Sequence, residues 1–182
     1  GHCILALKNL GHIGRVGAWS ELAALNGCVS ILFVNTSGFG ILMAPHGGTD
    51  RRLSANPIAI GVPIENKDYL VLDMATSVVA EGKIMVAKNK GVKLPEGMML
   101  DGYGNPTNDP VKFYSEPVGS ILPFGGHKGF GLAFMIDILS GALTGGNSSH
   151  PDNDNSHTVI NNTLAIIMDT QQTVTNNYFQ ND

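Results

Sequence analysis

Residues 28–45, "CVSILFVNTSGFGILMAP", decide the fold. Cys28 to Val34 is a continuous apolar run of strand length. Gly38-Phe39-Gly40 follows it as a glycine turn follows the first strand of a dinucleotide-binding βαβ unit. That fingerprint requires a third glycine where Met43 stands, then a helix that Pro45 blocks. No strand ending in an acid follows about 20 residues later in the βαβ order. The Walker phosphate loop fails too, because it needs Gly-Lys-Ser/Thr and the chain has Lys128-Gly129-Phe130. A parallel, doubly wound sheet is therefore set aside.

The flanking segments give the replacement. Residues 3–8 read as a strand. Residues 15–26 carry Val16, Trp19, Leu22, Ala23 and Leu25 near helical spacing, and Gly27 suits the position past a helix end. Residues 36–57 read as a long loop. Residues 58–62 and 69–72 read as strands joined by the polar turn "PIENKD". A helix over residues 78–89, capped by Thr76 or Ser77, stops at Gly91. "LPEGMMLDGYGNPTNDP" is extended and full of turn signals. Residues 131–143 read as a buried central helix, with Asp137 its one charge, and residues 163–168 as a last strand. The expected fold is α/β, a mixed and largely antiparallel sheet flanked by helices, as a single domain over residues 1–182.

Composition narrows the function. The net charge is −4 with no basic run, which disfavours nucleic acid and acidic membranes as partners. No apolar run reaches membrane-spanning length, and the N-terminus lacks a signal-peptide layout. Cys3 and Cys28 are too few for a disulfide framework or a zinc cage, so a reducing cytoplasm is expected. His150, Asp152, Asp154 and His157 share a loop, but their spacing fits no ligand pattern, and no metal site is assigned. Asn35-Thr36-Ser37, Asn147-Ser148-Ser149 and Asn161-Asn162-Thr163 match the glycosylation triplet, which arises often by chance.

"PFGGHKGFG", residues 123–131, places Lys128 among glycines just before a helix. The first amides of a helix favour an anion, glycines let it approach, and a lysine adds charge. A glycine-rich turn into a core helix, with Lys128 solvated, explains the same residues.

Several segments taken together carry a resemblance. They are "KNLGHIGRVGAWSELAALNG", "APHGGTDRRLSANPIAIGVP", "LVLDMATSVVAEGKI", "LPEGMMLDGYGNPTNDP" and "ILPFGGHKGFGLAFMIDILSGAL". In order and spacing they resemble the malate/L-lactate dehydrogenase family, of the ureidoglycolate dehydrogenase, sulfolactate dehydrogenase, diketogulonate reductase and piperideine-carboxylate reductase type. The resemblance implies a non-Rossmann NAD- or NADP-dependent oxidoreductase, forming homodimers, that interconverts a small 2-hydroxyacid and 2-oxoacid. It implies that His12 is the acid/base, and that Thr36, Asp73, Met74, Ala75, His127 and Lys128 contact the cofactor. Leu10, Gly11 and Ala55 depart from the family's usual residues.

The chain begins at Gly1 inside an expected strand and ends in polar "TNNYFQND". Against the family it corresponds to a cofactor-binding core, without the N-terminal substrate-binding region and the C-terminal segment. A non-catalytic nucleotide-binding remnant is the alternative reading.

Overall fold

The computed structural model describes residues 1–64, 68–150, 152 and 158–173. In chain order the elements begin with β1 (His2–Leu10), α1 (Gly17–Leu25), β2 (Cys28–Gly38), β3 (Ile58–Pro63) and β4 (Tyr69–Met74). Next come α2 (Glu81–Lys90), β5 (Met99–Leu100), β6 (Pro106–Thr107), α3 (Pro110–Tyr114) and β7 (Ser120–Ile121). The chain then runs through α4 (His127–Ile136), a π-helical turn (Asp137–Ala142), β8 (Val159–Asp169) and α5 (Thr170–Thr173). Five strands form an antiparallel sheet in the order β1-β8-β2-β3-β4, and β6-β5-β7 form a small second one. The expected α/β class with a largely antiparallel sheet flanked by helices holds.

Helix α1 lies across β2, β3 and β4. It comes close because Gly61 carries no side chain: a Cβ there would sit 2.4 Å from the Ser20 carbonyl oxygen. Under it Val16, Leu32, Val34, Ala59 and Ala165 form one core cluster. Val79, Ile84, Met99, Phe113 and Ile121 form a second beside the small sheet. Met43, the residue that breaks the dinucleotide fingerprint, is core instead, packed with Leu53 and Ala133. Burying such a side chain contributes about 1.5–3 kcal/mol. A glycine at that position would forfeit this.

The expected buried helix over 131–143 is corrected. The helix begins at His127 and passes into the π-helical turn at Asp137. Its inner face is small, with Gly129, Ala133, Ile136, Ser140 and Gly141 buried. Phe134 and Met135 are each 51% exposed, while Asp137 is only 5% exposed. Apolar content alone pointed to burial all round; backbone approach selected the small residues for the sheet side.

Two further differences concern boundaries. Helix α2 starts at Glu81 behind Ala80 and has no side-chain cap. The Ser77 hydroxyl donates instead to the Val79 carbonyl, and the Thr76 hydroxyl has no partner among the described residues. Strand β2 runs on to Gly38, where its last residues pair with the beginning of β8. Gly27 and Gly91 take left-handed φ of 75° and 64° at the helix ends, as the sequence suggested.

Candidate functional site

His12 lies on the exposed loop between β1 and α1. The loop opens on an irregularity: Asn9 has φ 56°, which among described residues no other non-glycine shares in sign, and the β1–β8 register shifts between Leu7 and Leu10. The Asn9 amide donates to Asn162 Oδ1 at 2.8 Å, and the Ile13 amide to Asn161 Oδ1 at 3.0 Å. Between these anchors, His12 Nδ1 accepts the Gly14 amide at 3.0 Å. The neutral ring therefore carries its proton on Nε2.

Thr36 stands opposite Asn161 in the β2–β8 ladder. Its hydroxyl accepts from Asn161 Nδ2 at 2.9 Å, and its amide donates to Asn56 Oδ1 at 3.2 Å. Asn56 Nδ2 in turn donates to the Ala133 carbonyl in α4 at 2.9 Å. One buried amide thus joins the end of β2 to the helix that begins at His127.

Asp73, next to last in β4, caps the start of α1, with Oδ2 accepting the Gly17 amide at 3.0 Å. An anion there is favoured by the helix dipole. A Cβ on Gly17 would lie 2.6 Å from that oxygen. Among the described residues Asp73 Oδ1 takes no donor. Met74 and Ala75 follow, half-buried. Thr76 then ties two loops together: its amide donates to the Ala55 carbonyl at 2.9 Å and its carbonyl accepts the Phe124 amide at 3.0 Å.

That second bond brings in the loop ahead of α4. Gly125 and Gly126 have φ of 55° and 61°. Gly129 is wedged in place, since a Cβ would meet the Phe124 oxygen at 2.3 Å and the Thr76 oxygen at 2.8 Å. The helix start is closed by its own backbone. Lys128, Gly129 and Phe130 amides donate to the Gly125, Phe124 and Gly126 carbonyls at 3.3, 2.9 and 3.2 Å. The expected row of open amides is thereby reduced, and an anion here meets chiefly side chains. Lys128 and His127 are exposed, and His127 has the His46 ring at 5.9 Å, edge to face.

The structure therefore links the segments of His12, Thr36, Asp73, Met74, Ala75, His127 and Lys128 into one hydrogen-bonded frame. No hydrogen bond among described residues joins His12 to Asp73, His127 or Lys128. An open apolar groove of about 490 Å³ runs between β1 and α1, lined by Leu5, Leu7, Leu10, Ile13, Trp19 and Leu22 among others. It borders the His12 loop without including His12. The described residues contain no metal-ligating cluster, and Asp154 and His157 lie outside them.

Asn161, Asn162, Asn35 and Asn56 were missed by sequence reasoning. For Asn35, Asn161 and Asn162 the available signal was chemical: asparagines within strands are poor strand formers, and they are retained when buried bonds need them.

A family model of malate/L-lactate dehydrogenase matches residues 1–182. The chain is 40% identical to an L-lactate dehydrogenase of Cupriavidus necator over 169 residues, 92% of this chain and 48% of that protein. It is 44% identical to hydroxycarboxylate dehydrogenase B of Escherichia coli K12 over 152 residues, 84% of this chain and 42% of that one. The solved structure of Δ1-piperideine-2-carboxylate reductase from Pseudomonas syringae pv. tomato has a TM-score of 0.87 at 33% identity. That match covers 99% of this chain and 54% of the other. The chain spans about half the length of the relatives it matches. From its first residue to its last, this chain belongs to the malate/L-lactate dehydrogenase family, whose members are hydroxyacid dehydrogenases and reductases.

Proposed function

We propose that the chain is the cofactor-binding core of an NAD- or NADP-dependent oxidoreductase that interconverts a small 2-hydroxyacid and its 2-oxoacid, with His12 as acid/base. The observation that supports this best is the shared frame: Asn161 ties the His12 loop to Thr36, and Asn56 ties Thr36 to the helix carrying His127 and Lys128. A proton-transfer group and a set of exposed polar contacts are thus held by one scaffold.

The residues fit a dinucleotide. Among described residues Lys128 is a cation without an ion-pair partner, Gly125 and Gly126 place no side chain beside it, and Asp73 keeps one carboxylate oxygen without a donor, available to a hydroxyl. Thr36, Met74, Ala75 and His127 complete the proposed contacts. A bound nicotinamide supplies or accepts the hydride. His12 handles the proton. In reduction, the doubly protonated ring would give its Nε2 proton to the carbonyl oxygen, and in oxidation the ring would take it back. That ring carries a proton on Nδ1 as well, so it cannot accept the Gly14 amide. Proton transfer at His12 therefore includes release of the Gly14 contact.

The reading extends to a cytoplasmic homodimer, in keeping with two free cysteines and the outward apolar face of α4. The test is oxidation of NADH and NADPH against a panel of 2-oxoacids by the protein that carries this chain, with cofactor binding followed by fluorescence. Turnover of at least one 2-oxoacid is expected. Binding without turnover would favour the non-catalytic alternative, and neither would end the reading.

A further inference from the structure

We propose that Asn161 and Asn162, consecutive in β8, are positioning residues that set the His12 loop from its two ends. The inference rests on His12 being the acid/base. Successive strand residues face opposite sides of a sheet, so the two amides work on different faces. Asn161 is 4% exposed and faces the α1 side, where Oδ1 holds the Ile13 amide and Nδ2 donates to the Thr36 hydroxyl and, at 3.2 Å, to the Asn35 carbonyl. Asn162 is fully buried on the side of the π-helical turn, where Oδ1 holds the Asn9 amide. Its Nδ2 donates to Asn35 Oδ1 at 2.8 Å and to the Asn147 carbonyl at 3.1 Å.

The second anchor continues inward. Asn35 Nδ2 donates to Asp137 Oδ1 at 3.1 Å and to the Asn147 carbonyl at 2.8 Å. Asp137 also takes the Ser149 amide and hydroxyl, each at 2.9 Å. Both donors and the acceptor of each asparagine side chain are therefore used, and neither amide can rotate without orphaning a buried group. Asn9, held in its left-handed conformation, and Ile13 bracket His12 three residues on one side and one on the other. Two side chains that fix the two ends of so short a loop fix the imidazole between them.

The experiment substitutes Asn161→Ala and Asn161→Asp in the protein that carries this chain. Four quantities are read: hydrogen exchange at the Ile13 amide, the NADH dissociation constant, kcat with its pH profile, and the melting temperature. In Asn161→Ala we expect faster Ile13 exchange and a kcat lower by about 10- to 100-fold, the scale of a small misplacement. The NADH dissociation constant should stay within about threefold, and the pH limb belonging to His12 should shift. Asn161→Asp keeps the acceptor for Ile13, so it should restore Ile13 protection and part of kcat, while the oxygen replacing Nδ2, set against the Asn35 carbonyl, lowers the melting temperature. Normal kcat with Ile13 protection lost would overturn the proposal. So would a loss of kcat matched by equal losses of affinity and stability, with no rescue of Ile13 protection by aspartate. If wild type reduces no 2-oxoacid, the functional reading fails separately. Ile13 exchange still tests the clamp, and unchanged protection in Asn161→Ala would remove it.

Discussion

The two halves of the candidate site are held by different means. Around Lys128 the loop is closed by backbone: amides meet carbonyls, and glycines give the clearance. Around His12 the backbone is left open, and asparagine side chains from β8, far along the chain, close it. The first half has no room for a Cβ at Gly129, whereas the second depends on side-chain amides. The backbone-closed half is held by main chain, its own and that of Thr76; the side-chain-closed half takes its geometry from β8.

The largest test bears on the open half. His12→Ala should lower turnover by about 10²- to 10⁴-fold, the range for a general acid/base, with NADH affinity nearly unchanged. Steady-state kinetics beside a fluorescence titration measures both, and near-normal turnover would take His12 out of the mechanism. On the closed half, Gly129→Ala should cost about 2–3 kcal/mol of stability, as overpacking against backbone does. Urea denaturation reads it, and an unchanged midpoint would show that the Phe124–Thr76 contact yields easily. If Gly129→Ala lowered stability while His12→Ala left it intact, the contrast between the halves would stand.

A smaller effect belongs to Lys128. Because it is exposed and the amides behind it are engaged, it acts as a surface charge. Lys128→Ala should therefore weaken NADH by about 1 kcal/mol, roughly fivefold, with apo melting unchanged. Equal affinities would leave the glycine loop as a turn. The smallest lies outside both halves, at the β5–β6 turn. There the Asn105 amide, above all, holds the Asp101 carboxyl below the ordinary carboxylate range. A depressed folded-state pKa gives stability that is present at neutral pH and lost as pH falls below about 4. Asp101→Asn should slightly flatten the acid limb of the melting temperature, the effect being small because the group is exposed. An unaltered acid limb would argue against it.

Most of the sheet was legible because its strands are short apolar runs bounded by turns: Cys28 to Val34 and the segments that became β3 and β4 needed no tertiary information. β8 was found only in part, from residue 163, because Asn161 and Asn162 look unlike strand residues until their partners are known. The helix at 127–136 was misread at its start and in its burial. Its phenylalanines and methionine outweighed Gly129 and Ala133 in composition, while backbone clearance favoured the small residues. At the site, His12, Thr36, Asp73 and Lys128 were reached through resemblance, and the structure links their segments. Their supports were hidden: Asn161 lies 148 residues from Ile13, and only strand pairing makes them neighbours.

The same asparagines bear on how the protein can be produced. Asn35 and Asn161 each head a glycosylation triplet, and both are buried between strands, whereas Asn147 is exposed. Oligosaccharide is attached in the secretory pathway while a chain is still emerging, before β2 and β8 can pair. A sugar on Asn35 or Asn161 would prevent that pairing outright, since no space exists beside either side chain. Secretion from a eukaryotic host is therefore expected to yield misfolded, retained material, with Asn147 alone able to carry a glycan harmlessly.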